Sequence, residues 1–209
     1  MIKMDKKRIS AVVLAGGNST RMGQNKALLE LGSKTIIERV VEILKTTFEE
    51  IIIVTNTPKV YSMLKDVRFV PDCFESREKK SIIGLYTGIF EAENNYAFVV
   101  ACDMPFLNTD LINYMIDNIG DEDILVPYIN GYYQPLHAIY NKNCLRSIRT
   151  LIDSKNYKII DLFNYFDNLK VRKINDEILD RLNITDSCFL NMNTYQEYIN
   201  IKKTCPSDK

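Results

Sequence analysis

The chain has 209 residues, 46% hydrophobic and 26% charged, and its 27 basic and 27 acidic side chains cancel to a formal charge of +0. This is the make-up of one globular domain with a full core, which excludes disordered, collagen-like and disulfide-scaffold classes; the balanced charge also excludes the broad basic surface of a nucleic-acid binder. A lone histidine, His137, cannot build a multi-histidine metal site, and five cysteines without metal-ligand spacing read as reduced thiols.

The basic opening MIKMDKKRIS is followed by a short apolar run and no small-residue cleavage pattern, so it is not a secretory signal. No apolar run approaches the ~18 residues of a membrane span. The expectation is a soluble cytoplasmic protein with no membrane and no nucleic-acid partner.

Residues 9–15 form a continuous apolar run ending at Gly16 and Gly17, a buried strand opening into a glycine turn. Ser33 is the expected cap of a helix whose apolar face is Ile36, Ile37, Val40, Val41, Leu44 and Phe48. A β-branched strand follows over 51–55, a short helical stretch over 60–64, a third strand over 67–71 and an exposed polar loop over 72–80. A helix over 83–92 leads into the apolar strand 97–102, which stops at Asp103.

Beyond Asn108 the pattern gives a helix to about residue 118, strands over 124–128 and 135–140, and a helix over 143–152. A short helical piece over 157–165, a strand over 170–174 and a closing helix after Asn193 complete it. Strands alternating with helices at this spacing demand crossovers, hence a Rossmann-like three-layer α/β/α fold with a mostly parallel sheet. No linker or repeat divides the chain. A single domain is expected, with a nucleotide-binding half over about 1–107 and an acceptor-binding half over about 108–209.

The segment LAGGNSTRMGQNK, residues 14–26, sits where the first strand ends, the edge at which open α/β sheets bind ligands. Gly16 and Gly17 let the backbone approach an anion and aim N–H groups at it, while Arg21 and Lys26 add positive charge. The spacing matches neither GxxxxGK[ST] nor GxGxxG. A glycine pair after a strand can also be a plain tight turn. Asp103, at the end of another strand, is placed to hold Mg²⁺ against phosphates, or to serve as a turn residue before Pro105. Asn56 and Asp72 close two further strands, where an amide and a carboxylate could read a base or ribose, or merely cap and turn. His137, on an apolar strand, reads as a core residue.

These segments resemble the molybdenum cofactor guanylyltransferases, the MobA family of NTP-transferase-like nucleotidyltransferases, whose opening pattern is LAGGxSxRMGxxKAL. The resemblance continues through VTN ending at Asn56, VPD ending at Asp72, GLYTGI over 84–89, ACDMPF around Asp103, QPLHAIY from Gln134 and FLNMNT from Phe189. It implies nucleotide contacts from Leu14, Ala15, Gly16, Lys26, Asn56, Asp72 and Asp103, with Asp103 as Mg²⁺ ligand and Arg21 as the arginine of the glycine loop. Asn191 and Asn193 match asparagines at the pterin end of the cleft. One departure is that Lys80 and Ser81 stand near where the family reads GPLxGI, so its Gly-Pro turn is lost.

The implied reaction is transfer of GMP from GTP to molybdopterin or Mo-molybdopterin, with release of pyrophosphate. Molybdenum-insertion proteins and molybdoenzymes are further implied partners. An ionised phosphate nucleophile needs no protein base, in keeping with a glycine loop that carries no Ser-His or Cys-His pair. Two alternatives stay open: a cytidylyltransferase on the same acceptor, and a non-catalytic nucleotide- or cofactor-binding adaptor, whose support is the altered Lys80-Ser81 stretch.

Overall fold

Strand β1 (Ile9–Leu14) is buried along its whole length and lies between β4 (Ile51–Val54) and β6 (Tyr96–Ala101), parallel to both. A strand covered on both faces needs apolar side chains on both, which is why ISAVVL is nearly continuous rather than alternating. Its polar member, Ser10, is fully buried and donates its hydroxyl to Glu50 Oε2 at 2.5 Å. The structure is a computed structural model describing residues 9–16, 25–74, 80–192 and 195–204.

Outward from β1 on one side, β5 (Arg68–Val70) pairs in parallel with β4. On the other side β9 (His137–Asn141) runs antiparallel to β6 and to β7 (Ile124–Ile129), and β10 (Val171–Ile174) is parallel to β7. The order is β10-β7-β9-β6-β1-β4-β5, with β9 alone reversed along this path. The short β8 (Tyr132–Tyr133) folds back on β7 through Asn130 and Gly131, with φ of 52° and 82°. Two consecutive positive φ values suit the two-residue hairpin turn that Asn-Gly favours.

Helices cover both faces, so the three-layer, mostly parallel architecture is as expected. One face packs α1 (Ile36–Lys45), α3 (Thr109–Asn118) and α6 (Asp176–Arg181) on Ala11, Val13 and Ile53; the other packs α2 (Ser81–Glu91), α4 (Leu145–Asp153) and α5 (Asp161–Asn164) on Val12, Leu14 and Val99. The alternation of β1 side chains between the two clusters follows from the period-2 pleat. Gly84 and Gly88, one turn apart on α2, let that helix lie against β1: a Cβ on Gly88 would overlap Val12 Cγ1.

Thr35, not Ser33, caps α1. Gly32 (φ 69°) and Ser33 form the turn of a small hairpin between β2 (Glu30–Leu31) and β3 (Lys34–Thr35). Thr35 Oγ1 accepts from Glu38 N, and Thr35 N donates to Glu38 Oε2 at 2.8 Å. This reciprocal capping box is worth roughly 1 kcal/mol, and the second half of it needs the glutamate three residues on. The closing helix α7 (Tyr195–Thr204) returns to this hairpin, where Tyr198 Oη donates to Glu30 O at 2.7 Å.

Candidate nucleotide-binding site

Because β1, β4, β5 and β6 are parallel, their carboxyl ends share one edge, and there Gly16, Asn56, Asp72 and Asp103 follow the last strand residues. A cavity of about 240 Å³ opens between this edge and the start of α2, lined by Leu14, Gly16, Asp72, Lys80, Gly84, Asp103 and Asn191, among others. Of the residues singled out in the sequence, Leu14, Gly16, Asp72, Asp103 and Asn191 line it directly. Ala15 sits just behind, buried, with its N–H on Val54 O at 2.9 Å. Gly17, Arg21 and Asn193 lie outside the described residues.

Asn56 reaches the cavity through Asp72. Its Nδ2 donates to Asp72 Oδ2 at 2.9 Å, and its Oδ1 accepts from Asp72 N at 2.9 Å. The pair is a closed ring of two hydrogen bonds that fixes the carboxylate on the edge. Two glycines lie within ordinary contact of this carboxylate. A Cβ on Gly16 would come within 3.7 Å of Asp72 Oδ2, and one on Gly84 within 3.8 Å of Oδ1 and 3.3 Å of Leu14 Cδ2.

Asp103 occupies the opposite end. Burial pushes its carboxyl above the ordinary carboxylate range, and the positive charge of Lys26 pulls against this without cancelling it. Lys26 belongs to the 3-10 turn Lys26–Leu28, whose N-cap Asn25 accepts from Ala27 N at 3.2 Å. The neighbouring Cys102 thiol is pushed far up by burial and by Asp103, which keeps it protonated and unreactive at neutral pH. Among the described residues no cluster of three His, Cys, Asp or Glu gathers. Asp103 supplies one of the one or two carboxylates by which Mg²⁺ is commonly held together with substrate phosphates.

The second half of the chain enters the cavity as Leu136 and Asn191. Asn191 Oδ1 is buried without a hydrogen-bond partner, while the N–H of the next residue, Met192, donates to Asp103 O at 3.0 Å. An orphaned buried amide oxygen is costly, and one that lines a cavity is open to a donor from whatever enters it. His137 is a core residue: fully buried, it lies edge-on to Phe98 and Phe189 with ring centroids 5.1 Å and 5.0 Å away.

Lys80 and Ser81, singled out in the sequence as the altered stretch where the family has its Gly-Pro turn, line the cavity too; Gly84, Cys102 and Leu136 as lining residues, and Tyr61 behind the edge, were not foreseen. Gly84 could have been found from Gly84-x-x-x-Gly88, which marks a helix face in close contact. Lys80 places its cation 5.4 Å from the Tyr157 ring centroid, a tertiary contact with no local signature.

Residues 11–169 match the family described as MobA-like NTP transferase domain. A protein of Natranaerobius thermophilus named "Probable molybdenum cofactor guanylyltransferase" is 36% identical over 198 residues, covering 93% of this chain and 95% of that one. The "Molybdenum cofactor guanylyltransferase" of Desulfosudis oleivorans is 34% identical over 191 residues, covering 90% and 92%. A crystal structure of molybdopterin-guanine dinucleotide biosynthesis protein A from Archaeoglobus fulgidus superposes with a TM-score of 0.79 over 94% of this chain and 98% of that one. At 23% identity it speaks for the fold.

Proposed function

The chain belongs to the family of MobA-like NTP transferase domains, and from that premise we propose that it is a molybdenum cofactor guanylyltransferase, moving GMP from GTP to molybdopterin or Mo-molybdopterin and releasing pyrophosphate. The observation that carries this reading is full-length similarity to proteins bearing that name, joined to a cleft lined by Asp103 at one end, on which the charge of Lys26 acts, and by Asp72, held by Asn56, at the other.

The chemistry of the two ends sets which way the nucleotide lies. Both ends carry a carboxylate and Lys80 lines the wall; the phosphates are assigned to the Asp103 end, where the charge of Lys26 acts and a divalent cation would join them, and the nucleoside to the Asn56–Asp72 end, whose paired amide and carboxylate suit a base or ribose. Asp72 offers acceptors to the N–H groups of guanine or to ribose hydroxyls, and Leu14 and the Gly16 backbone form the floor between the two ends.

The acceptor attacks through a phosphate already ionised at neutral pH, so no residue need remove a proton. What the chain supplies is orientation and charge compensation. Lys26 donates to phosphate oxygens, a charge-assisted bond worth about 1.5–3 kcal/mol before any gain from charge developing in the transition state. Mg²⁺, when bound, neutralises charge on the phosphates. Asp103 is the residue that would hold it. The roles of Gly17, Arg21 and Asn193 rest on their place in the sequence. Asn191 Oδ1, unpaired in the structure, is the group assigned to accept from the pterin substrate, in keeping with an acceptor-binding role for the half of the chain beyond about residue 107.

The test is pyrophosphate release by the purified chain with Mg²⁺, molybdopterin and each nucleoside triphosphate in turn. Turnover with GTP is expected. Preferential turnover with CTP would overturn the base assignment, and nucleotide binding without turnover would overturn the enzymatic one.

A further inference from the structure

Tyr61, which ends the 3-10 turn Pro58–Tyr61 after β4, is 2% exposed and belongs to no motif singled out in the sequence. Its hydroxyl makes two hydrogen bonds of opposite sense. It donates to Ala15 O at 3.3 Å and accepts from Asn25 Nδ2 at 2.9 Å. Asn25 in turn uses its other amide atom, Oδ1, to accept from Ala27 N and cap the turn that begins with Lys26.

The directions form one unbroken relay, from Ala27 N–H through the Asn25 amide and the Tyr61 hydroxyl to the Ala15 carbonyl. Each member is polarised in the same sense, so each strengthens the next. The relay joins the two ends that flank residues 17–24: Ala15 immediately precedes the glycine pair, and Asn25 immediately precedes Lys26. Cys102, next to Asp103, donates its backbone N–H to Leu14 O at 3.2 Å, one residue before Ala15, so the β1 end of the relay adjoins the Asp103 end of the cleft.

We propose that Tyr61 is a positioning residue for triphosphate binding, its hydroxyl pinning Ala15 and Asn25 together so that Lys26 is held beside Asp103 before nucleotide arrives. This rests on the reading that the cleft takes a nucleoside triphosphate. Without the hydroxyl, Ala15 O loses its Tyr61 donor in a buried place and Asn25 Nδ2 loses its acceptor in a half-buried one, and the Lys26 turn loses its tether to β1. Nucleotide must then restore that arrangement out of its own binding energy, which weakens binding while leaving the pterin side alone.

Tyr61→Phe keeps the ring in the core and removes one oxygen. With Mg²⁺ present, the Kd of the bound nucleotide and its KM are expected to rise about tenfold, the cost of buried groups left unpaired, with the KM for molybdopterin unchanged. Asn25→Ala should act in the same direction. The double variant should be no worse than the poorer single one, because both break one relay. All four nucleoside triphosphates are titrated, since a phosphate-side effect follows whichever one binds; loss of the guanine reading is thereby told apart from loss of this one. Binding by Tyr61→Phe within roughly twofold of the parent, or losses in the double variant that multiply, would overturn the proposal. So would an equal rise in both KM values, the mark of a merely structural role.

Discussion

The backbone N–H of Met192 donates to the carbonyl oxygen of Asp103 at 3.0 Å, fastening the tail of the chain to the residue that closes β6. That bond sets Asn191 at the rim of the cleft with its side-chain oxygen buried and unpaired. Asn191→Ala removes the orphan, so the free protein should be no less stable than the parent in thermal unfolding. The KM for molybdopterin should rise about tenfold, as expected when one hydrogen bond to ligand is lost. An unchanged acceptor KM would refute the assignment.

Lys26→Ala and Asp103→Asn should each lower guanylylation at least about tenfold. They should differ in stability. Burial raises the folded pKa of Asp103 above its unfolded value, so the stability linked to its protonated form is complete below the unfolded pKa and disappears as pH rises through the folded one. At pH 7 its charge is therefore destabilising, and Asp103→Asn should melt higher than the parent. That gap should close as the pH is lowered below the ordinary carboxylate range, a trend that differential scanning calorimetry across pH would reveal or exclude.

Gly88→Ala tests how α2 sits on the sheet. Alanine gains up to about 1 kcal/mol of helix propensity over glycine, yet its methyl would overlap Val12 Cγ1 on a fully buried strand that cannot retreat. Overpacking of this kind costs about 1–3 kcal/mol, so the net effect is destabilisation, read from denaturant midpoints. Gly84→Ala meets instead the movable end of Leu14 at 3.3 Å and the Asp72 carboxylate at 3.8 Å. It should spare stability and raise the KM for GTP.

His137 has both ring nitrogens buried without partners, and burial pulls its pKa down to about 3. A base with a depressed folded pKa contributes stability above its unfolded pKa of 6.5 that is lost as pH falls toward the folded value. At pH 5 the loss is about 2 kcal/mol. His137→Met should match or exceed the parent at pH 7, because the orphaned nitrogens go, and should keep that much more stability at pH 5. Parallel acid limbs for the two proteins would contradict it.

The parallel frame was legible because β1, β4 and β6 are apolar on both faces, β1 running into the glycine pair and β4 and β6 into Asn56 and Asp103 at the shared edge. What escaped was set by contacts distant in sequence or by small local geometry. The β8 hairpin carried a readable signal in Asn130-Gly131, obscured by tyrosines that read as mere packing. Ser33 displaced Thr35 as the cap because the first hydroxyl before an apolar face looks sufficient until Glu38 is weighed. In the site, residues on strand ends could be placed from register alone. Tyr61 could not, since its partners lie 46 and 36 positions away, nor could Leu136 and Asn191, which reach the cleft by tertiary folding.

The reversed strand β9 has a consequence for synthesis. It pairs with β6 through residues 137–141 and separates β6 from β7. A nascent chain emerging amino terminus first can therefore assemble β5, β4, β1 and β6 early, yet β6 remains a bare, apolar edge until residue 141 has left the ribosome. For about forty residues of translation the growing half-sheet presents the kind of surface that captures other chains, so the first half of this protein is sheltered only when the second has been made.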